Sequence, residues 1–538
     1  MNALLLRTTC AMFLLYNTAG AQDILWEKSY GGKQAEHLLD AQPTADYGFI
    51  LAGASLSAKS GNKEESNVGD LDYWIWKMDE DGQPEWQKNI GGTGPDLLYS
   101  IRNTRDGGFI LAGTSESQKG GKKLDSCRGK EDIWVIKLNA KGSEEWQKTI
   151  GGPGQDVVKA IVPTSGGGYI IGGSSSSPAS LKILKGADDP YGKWEDSRGG
   201  LDYWIIRLDD KGKVTWQRTL GGQYADILES IEPTSDGGFI VGGYSNSPSS
   251  TDKAQDNYGA GDYWVVKLDK DGATEWETIY GGEEDDHLYA IHQTKDGGYI
   301  LGGSSASAST GNKSRSNRKG TDFWILKLDE KGGITWQQNY DTGKVDVLTS
   351  LVENNDGTYL LGGYAQSEVT GQVNKSDKQE INDYIAIKIA ADGEELWKQS
   401  VGSNGEDLLK KLTETRDGGY LLAGTSKGNI SRDKKSGNGS NDFWVVKLKD
   451  KDKKKQEKRT LLEAIPNPAQ QYTNIIVGFD FTTGTASLFD LSGRMLQSFE
   501  VKSRTIPLDM GQYPDGVYIV EVRTDKGTDS VKVMKTKR

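Results

Sequence analysis

One unit occurs seven times along this chain, and this repetition constrains the fold more than any other feature. The unit is clearest between Trp216 and Leu268. It begins with a short segment led by Trp and continues through a GG-x3-D loop and a T-x-DGG turn. After a long polar loop it ends with Asp, followed in most copies by an aromatic residue and Trp. The fold must therefore place seven similar units side by side.

The spacing and composition of the units indicate a β-propeller. Successive leading tryptophans are 60, 60, 70, 60, 60 and 61 residues apart. The segments between turns alternate apolar and polar side chains, and none shows the 3.6-residue period of a helix. The 70 glycines suit many short strands joined by tight turns. The leading residues are Trp26, Trp86, Trp146, Trp216, Trp276, Trp336 and Trp397, and the final segments begin at Asp72, Asp132, Asp202, Asp262, Asp322, Asp383 and Asp442.

The pattern of apolar side chains also predicts where each segment lies in its sheet. Both faces of residues 263–266 are apolar, as expected of a strand covered on both sides, so we place the final segments third. Residues 86–90 have one polar face, which favours the outermost position. The chain opens with an unpartnered Trp segment at 25–30, and the last copy lacks one. The sequence therefore predicts a seven-bladed β-propeller over 22–448, closed by its N-terminal strand.

The turns between strands are rich in Asp and Gly, and one type resembles part of a calcium loop. Asp269-Lys270-Asp271-Gly272 is an example, but the further acidic ligands of a full loop are absent. Asp and Gly are also the residues that tight turns prefer. We expect plain turns here, and predict no metal and no cofactor.

The N-terminal segment indicates export. Residues 1–21 are apolar, with Arg7 near the start and small residues before Gln22, as in a signal peptide. Cys10 would leave with this segment, and no lipobox precedes it. Only Cys127 then remains, so we expect no internal disulfide. No later run reaches the roughly 18 apolar residues of a membrane helix.

The charge of the chain argues against nucleic-acid binding. The net charge is −12, and the repeat region is its most acidic part because the segment after it is basic. Such a surface repels phosphate backbones.

Two sets of repeat residues are candidates for binding. The long loops are rich in Ser, Gly, Asn and Lys; they are either a binding face or solvated connectors. The acids that start the innermost strands should ring the mouth of the central channel, where they either accept backbone N–H groups or hold a cation. These acids are Glu36, Asp96, Asp156, Asp226, Asp286, Asp346 and Asp407.

A third candidate lies in the one enlarged loop, at residues 181–200. Trp194 falls outside both repeating Trp registers and stands near Tyr191, Asp189 and Glu195. An exposed aromatic ring with carboxylates is a plausible sugar-stacking platform. The alternative is that Trp194 packs on its own blade.

Little in the sequence points to catalysis. His37 and His287 occupy a position that is aliphatic in other copies, so we interpret them as tolerated substitutions; His292 is the third histidine. There is no G-x-S-x-G, HExxH or CxxC motif, and we assign no catalytic residue. Acidic residues from different blades could still meet at the channel.

The repeat ends at Leu448, and the rest of the chain differs in composition. A charged linker spans 449–462, and short alternating segments over 463–538 predict a small β-sandwich. Four ordered motifs lie in this region: Ile465-Pro466-Asn467-Pro468, Asp490-Leu491-Ser492-Gly493-Arg494, Gly516-Val517-Tyr518, and Lys532 in a basic terminus. The region resembles the type A C-terminal sorting domain of the type IX secretion system of Bacteroidota, apart from Ile465, where the family usually has Tyr.

This resemblance implies where the protein goes, but not what the repeats do. It implies Sec export, passage through the type IX translocon, and commonly removal of the domain by a sorting peptidase with anchoring to surface lipopolysaccharide. The repeats are similar to uncharacterised secreted β-propeller repeat proteins. We therefore expect a secreted or surface-attached protein that binds an extracellular glycan or protein. The alternatives are a polysaccharide lyase or hydrolase that uses acids near the channel, and a purely structural surface component.

Overall fold

The computed structural model describes residues 22–180, 190–317, 320–367, 381–451, 462–469, 472–479, 481–502 and 504–536. The signal peptide, Asp189 and most of the linker lie outside them. The regular elements of the described part are β-strands. None of its segments is a helix long and apolar enough to cross a bilayer. The prediction of an all-β protein is confirmed.

The repeats form seven four-stranded antiparallel sheets, and each sheet uses its strands in the predicted order. The first strands are β2 (Glu36–Pro43), β6 (Asp96–Asn103), β10 (Asp156–Pro163), β14 (Asp226–Pro233), β18 (Asp286–Gln293), β22 (Asp346–Glu353) and β26 (Asp407–Glu414). The second strands are β3 (Phe49–Ser55), β7 (Phe109–Ser115), β11 (Tyr169–Ser175), β15 (Phe239–Ser245), β19 (Tyr299–Ser305), β23 (Tyr359–Ser367) and β27 (Tyr420–Ser426).

The third strands carry the Asp-aromatic-Trp segments and the fourth strands carry the leading tryptophans. The third strands are β4 (Asp72–Met78), β8 (Asp132–Leu138), β12 (Asp202–Leu208), β16 (Asp262–Leu268), β20 (Asp322–Leu328), β24 (Ile381–Ile389) and β28 (Asp442–Lys449). The fourth strands are β5 (Pro84–Ile90), β9 (Glu144–Ile150), β13 (Val214–Leu220), β17 (Thr274–Tyr280), β21 (Ile334–Tyr340), β25 (Glu395–Val401) and, from the start of the repeat region, β1 (Asp23–Tyr30).

The seventh sheet joins the two ends of the repeat region. Its order is β1-β28-β27-β26, and β1 pairs with β28 from Asp23 opposite Lys449 to Tyr30 opposite Phe443. Each first strand also contacts the first strands of two other sheets, and β2 contacts β26. The arrangement is propeller-like.

The core lies between neighbouring sheets. Every residue of β4, β8, β16 and β20 is buried, because both faces of a third strand are covered by other sheets. The third-strand tryptophans, such as Trp74 and Trp264, are fully buried, whereas the leading Trp86 and Trp276 are only partly buried at the rim. Burial thus follows the apolar pattern of the sequence.

The tail forms two small sheets with one apolar core between them. One sheet has the order β29 (Leu462–Ile465), β30 (Tyr472–Val477), β33 (Thr505–Asp509), and the other has the order β32 (Met495–Val501), β31 (Gly484–Asp490), β34 (Gly516–Thr524), β35 (Gly527–Lys535). The tail contacts two turns of the first repeat sheet: the Arg504 guanidinium lies 2.6 Å from a carboxylate oxygen of Glu80, and the Thr505 hydroxyl lies 2.9 Å from Asp46. A cavity of about 850 Å³ lies along this contact.

Candidate ligand-binding channel

The first strands line a cavity of about 320 Å³ where the seven sheets meet. Each first strand has a register shift after its third residue, so that its fourth and fifth side chains both border this space. The third residue points into the core and is always aliphatic, as at Leu38, which is fully buried. The fourth residues are Leu39, Tyr99, Lys159, Glu229, Tyr289, Thr349 and Lys410, and the fifth are Asp40, Ser100, Ala160, Ser230, Ala290, Ser350 and Lys411.

Within the first strands, the positions that border the cavity vary among the repeats. Core positions of the first strands keep one type of side chain, whereas the cavity positions range from Leu to Lys and Glu. The spacing of motifs in the sequence does not identify this set of residues. The signal was present as non-repeating residues within a repeat, but the register shift that places the fifth residue beside the fourth is a feature of the fold.

The cavity holds both paired and unpaired charges. The Lys159 ammonium lies 3.0 Å from Glu229 and 5.9 Å from the centre of the Tyr99 ring. No carboxylate of the described residues lies within ion-pair distance of Lys410, and burial together with Lys159 lowers the pKa of Lys410. A cationic group that faces a cavity without a partner can bind an acidic or polar ligand.

Further charged pairs lie deeper along the same strands. Arg102 pairs with Asp40. His292 Nδ1 lies 2.9 Å from a carboxylate oxygen of Glu232; burial lowers the pKa of His292, but its contact with Glu232 outweighs this effect and raises it. Burial also lowers the pKa of Lys411. Of these groups, Asp40, Arg102, Glu232 and Lys411 line the cavity and give it a polar wall.

Aromatic rings stack beside the mouth of this channel. Tyr244 stacks on His287 with ring centres 4.2 Å apart and planes 6° apart, and Tyr289 lies 6.2 Å beyond His287. At the position of Tyr244, four other sheets carry Ser or Thr, the first carries Ala54 and the sixth carries Tyr364, which also lines the cavity. Ser174, for example, accepts the N–H of Leu228 at 2.9 Å. A tyrosine at this position presents a ring in place of that inter-sheet hydrogen bond. His287 is therefore part of an aromatic stack, which the sequence did not predict.

The predicted ring of mouth acids is buried rather than facing the channel. Asp96 is fully buried; its carboxylate accepts the N–H of Gly92 at 2.7 Å and the hydroxyl of Ser117 at 2.9 Å, and burial raises its pKa. Equivalent bonds from the loop residue four positions earlier reach Glu36, Asp156, Asp226, Asp286, Asp346 and Asp407. These contacts favour the structural role over a role in ligand binding or catalysis.

The long loops are tied to the sheets by buried lysines, which sequence reasoning did not identify. The Lys313 ammonium donates to the backbone oxygen of Ser307 at 2.7 Å and to Asn317 at 2.5 Å. Its side chain also lies above Trp324, 5.8 Å from the ring centre. The equivalent buried residues are Lys63, Lys123, Lys193, Lys253 and Lys434. The loops are therefore partly fixed surfaces, and not only solvated connectors.

The enlarged loop places its aromatic residues against the sheets. Trp194 and Tyr191 are partly buried and pack on the apolar cluster between the second and third sheets. The Lys148 ammonium lies 5.2 Å from the centre of the Tyr191 ring, and Glu195 accepts the N–H of Thr219 at 2.9 Å. Part of Trp194 remains accessible, so a sugar platform at this loop stays a prediction. Asp189 lies outside the described residues.

The tail motifs form turns and make hydrogen bonds that hold neighbouring strands together. Asp490 accepts N–H groups of its own turn and pairs with Arg494 at 3.1 Å, and Gly493 has a φ of 81° that favours glycine. The Tyr518 hydroxyl donates to Pro514 at 2.7 Å. Asn467 donates to the backbone oxygen of Lys532 and accepts the N–H of Met534 at 2.8 Å, and the Thr473 hydroxyl donates to the backbone oxygen of Pro466. Pro468 and Gly516 lie in the same segments.

Comparisons with known proteins assign a family to the tail but not to the repeat region. The chain is 22% identical over 276 residues to regulatory protein FlaEY of Caulobacter vibrioides, a match that covers 46% of this chain and 27% of that protein. This chain thus spans about a quarter of that relative's length.

Solved structures show only a distant likeness. Sqt1 of Chaetomium thermophilum has a TM-score of 0.41 and 10% identity, over 80% of this chain and 98% of that chain. A Synechocystis apocarotenoid oxygenase mutant has a TM-score of 0.36 and 11% identity, over 80% and 95%. Neither tells what this chain binds.

The family match is specific in its place and in its motifs. Residues 463–536 match the secretion system C-terminal sorting domain, over the same segment in which the turn of Asp490, Gly493 and Arg494 and the strand of Tyr518 lie. These residues are the C-terminal sorting domain of a type IX secretion substrate, and the protein that carries them is exported and is either secreted or attached to the cell surface.

Proposed function

We propose that the repeat region is a seven-bladed β-propeller, closed by β1, that binds an extracellular ligand in its central channel. The pairing of β1 with β28 and the contact between β2 and β26 support a closed ring. A closed ring has no free sheet edge, and this suits an exported chain whose described cysteine, Cys127, is a free thiol. The sorting domain supports a place outside the cell.

The observation that carries the proposal is the break in repetition at the cavity. If the first strands had only a structural role, the same side chain could occupy the fourth position in all seven repeats. Here the fourth positions supply tyrosines, lysines and one glutamate, all directed into one space of about 320 Å³. Pockets with aromatic walls and a few converging polar groups are the usual form of a ligand site.

The chemistry of the lining favours a glycan with acidic groups, with a segment of an extracellular protein as the second possibility. Tyr99, Tyr289 and Tyr364 offer rings for sugar faces, and Lys410 offers a cation to a carboxylate or sulfate. The mouth acids are buried and already accept hydrogen bonds, so the enzyme alternative lacks accessible acids at that ring.

A glycan array, run beside a reducing-end release assay on the same sugars, tests this proposal. The variants are Lys410→Gln and Tyr289→Ala in the channel and Trp194→Ala in the enlarged loop. Lys211→Gln, in an exposed turn, is the matched control. We expect wild type and Lys211→Gln to retain the same acidic glycans, and each channel variant to reduce retention at least tenfold.

Each other outcome has a definite meaning. Loss only in Trp194→Ala would move the site to the enlarged loop. Release of reducing ends by the wild type would favour the lyase or hydrolase. If no glycan is retained, the glycan proposal fails, and the protein is a binder of another class or a structural component.

A further inference from the structure

Three carboxylates converge where the fifth and sixth repeat sheets meet. Asp322 begins β20, Asp346 begins β22, and Asp341 lies in the loop before Asp346. One carboxylate oxygen from each lies within 4.8 Å of the other two. Among the described residues, no other boundary between repeat sheets brings three acids this close together. Asp262 and Asp286, for example, form a pair of acids that repel each other.

Asp341 replaces a glycine that the geometry of the other boundaries requires. A Cβ at the equivalent position would lie between 1.9 and 2.3 Å from a carboxylate oxygen of the third-strand Asp, closer than atoms can approach. The equivalent residues are Gly31, Gly91, Gly151, Gly221, Gly281 and Gly402. At the boundary of the fifth and sixth sheets, the chain thus accepts a side chain, and that side chain adds a third negative charge.

The next boundary shows what such a place can hold. Arg432 donates two hydrogen bonds to Asp383, of 2.8 and 2.9 Å, and its Nη1 lies 3.1 Å from where a Cβ of Gly402 would be. A cation therefore occupies the region that corresponds to the side chain of Asp341. Where the protein has a carboxylate in place of that guanidinium, a cation from outside would balance the added negative charge.

A buried oxygen in the cluster lacks a partner. Asp322 is 1% exposed, and its Oδ1 has no hydrogen-bond partner among the described residues. Equivalent oxygens in other sheets, such as Oδ1 of Asp262, also lack a partner, but no third acid stands beside them.

We propose that Asp322, Asp341 and Asp346 bind one Ca²⁺ ion. Carboxylate oxygens are the ligands that this ion prefers, and a site of six to eight oxygens can include waters. Two further side chains lie nearby: the Asn339 amide nitrogen is 3.5 Å from Asp322, its buried Oδ1 has no hydrogen-bond partner among the described residues, and the Thr342 hydroxyl donates to Asp346 at 2.7 Å. The ion would link β20 to β22 and so fasten two sheets together. This proposal is independent of any ligand in the channel.

Titration of the full chain, stripped of metal with EDTA, tests the site directly. Tb³⁺ serves as the luminescent probe, excited through Trp324 and Tyr340, which flank the cluster, and Ca²⁺ is the competitor. We expect one high-affinity Tb³⁺ equivalent, displacement by Ca²⁺ in the range of about 0.1–1 mM found for extracellular modules, and a melting temperature that rises with Ca²⁺.

Two variants and one control make the outcome decisive. Asp341→Gly restores the residue found at six other boundaries, so it should fold and should bind Tb³⁺ at least tenfold more weakly; Asp341→Asn should lie between it and the wild type. Asp271→Asn, in the exposed Asp-x-Asp-Gly turn where Asp269 Oδ1 already accepts two N–H groups, should leave binding unchanged.

The proposal is overturned if the wild type binds no Tb³⁺ or Ca²⁺ at millimolar concentration, or if Asp341→Gly binds as well as the wild type. The first result would mean that the protein neutralises the cluster itself, for example through the charge of Lys313, which acts on Asp322.

Discussion

At the scale of single residues, the structure rests on close contacts between glycines and buried acids. The first glycine of each GG-x3-D loop lies against the carboxylate of a third-strand Asp. In the sequence, these glycines and acids appear as two separate conserved positions of the repeat unit, with no sign that they are in contact. Their contact explains why both recur: the acid holds the loop, and at six boundaries between sheets a Cβ would lie too close to it. Asp341 replaces the glycine at the seventh boundary.

Gly91→Ala tests this explanation. A Cβ there would lie 2.0 Å from Oδ1 of Asp72. We expect the free energy of unfolding to fall by about 1–3 kcal/mol, the usual cost of overpacking a buried site, as measured by urea denaturation. Gly166→Ala is the control, because no heavy atom lies within 4 Å of its Cβ. Its effect should stay within about 1 kcal/mol. Equal effects in the two variants would contradict the explanation.

At the scale of elements, β1 is the strand on which the proposed closure depends. Its Trp26 packs edge-on against Phe49 of the first repeat sheet, with ring centres 6.3 Å apart, and its indole N–H donates to Glu80 at 3.2 Å. The strand itself pairs with β28 of the seventh sheet. Residues from the two ends of the repeat region therefore share one core.

Trp26→Ala should weaken the repeat region as a whole. We expect a loss of about 3 kcal/mol, at the low end for truncating a core tryptophan because Trp26 is partly exposed. Differential scanning calorimetry should show one transition at a lower temperature. Trp86→Ala, the same register within an interior sheet, should have a similar effect. If Trp26→Ala splits the transition and leaves most sheets melting at the original temperature, closure by β1 is wrong.

At the scale of the whole molecule, the many buried acids set the response to pH. Burial raises the pKa values of Asp132 and Asp202 to about 6 and that of Asp262 to about 7. Between pH 4 and 7 the folded state therefore holds more protons than the unfolded state, and stability falls as pH rises. Exposed acids that pair with lysines act in the opposite sense: the pKa values of Asp236 and Asp296 are lowered to about 2, so their contribution is lost only below pH 4.

Stability should therefore be highest near pH 4 to 5 and lower at pH 7.5. Urea denaturation in EDTA at pH 4.5, 6 and 7.5 should show a midpoint that decreases along this series. A midpoint that rises steadily to pH 7.5 would mean that the buried acids are charged and well stabilised in the folded state. Asp262→Asn should flatten the decrease between pH 6 and 7.5.

The sequence by itself determined the all-β class, the number and order of strands in each repeat sheet, and the sorting domain. These features depend on local periodicity and on ordered motifs, and both can be recognised in a sequence without its fold. The strand order followed from which faces of residues 86–90 and 263–266 are apolar.

Only the tertiary structure decided which side chains share a space. Tyr99, Lys159, Glu229 and Lys410 lie tens to hundreds of residues apart, and they meet because the first strands of the sheets lie side by side. The convergence of Asp341 on Asp322 and Asp346 arises in the same way, from two sheets in contact. Proximity across sheets depends on packing, and no spacing within one repeat encodes it.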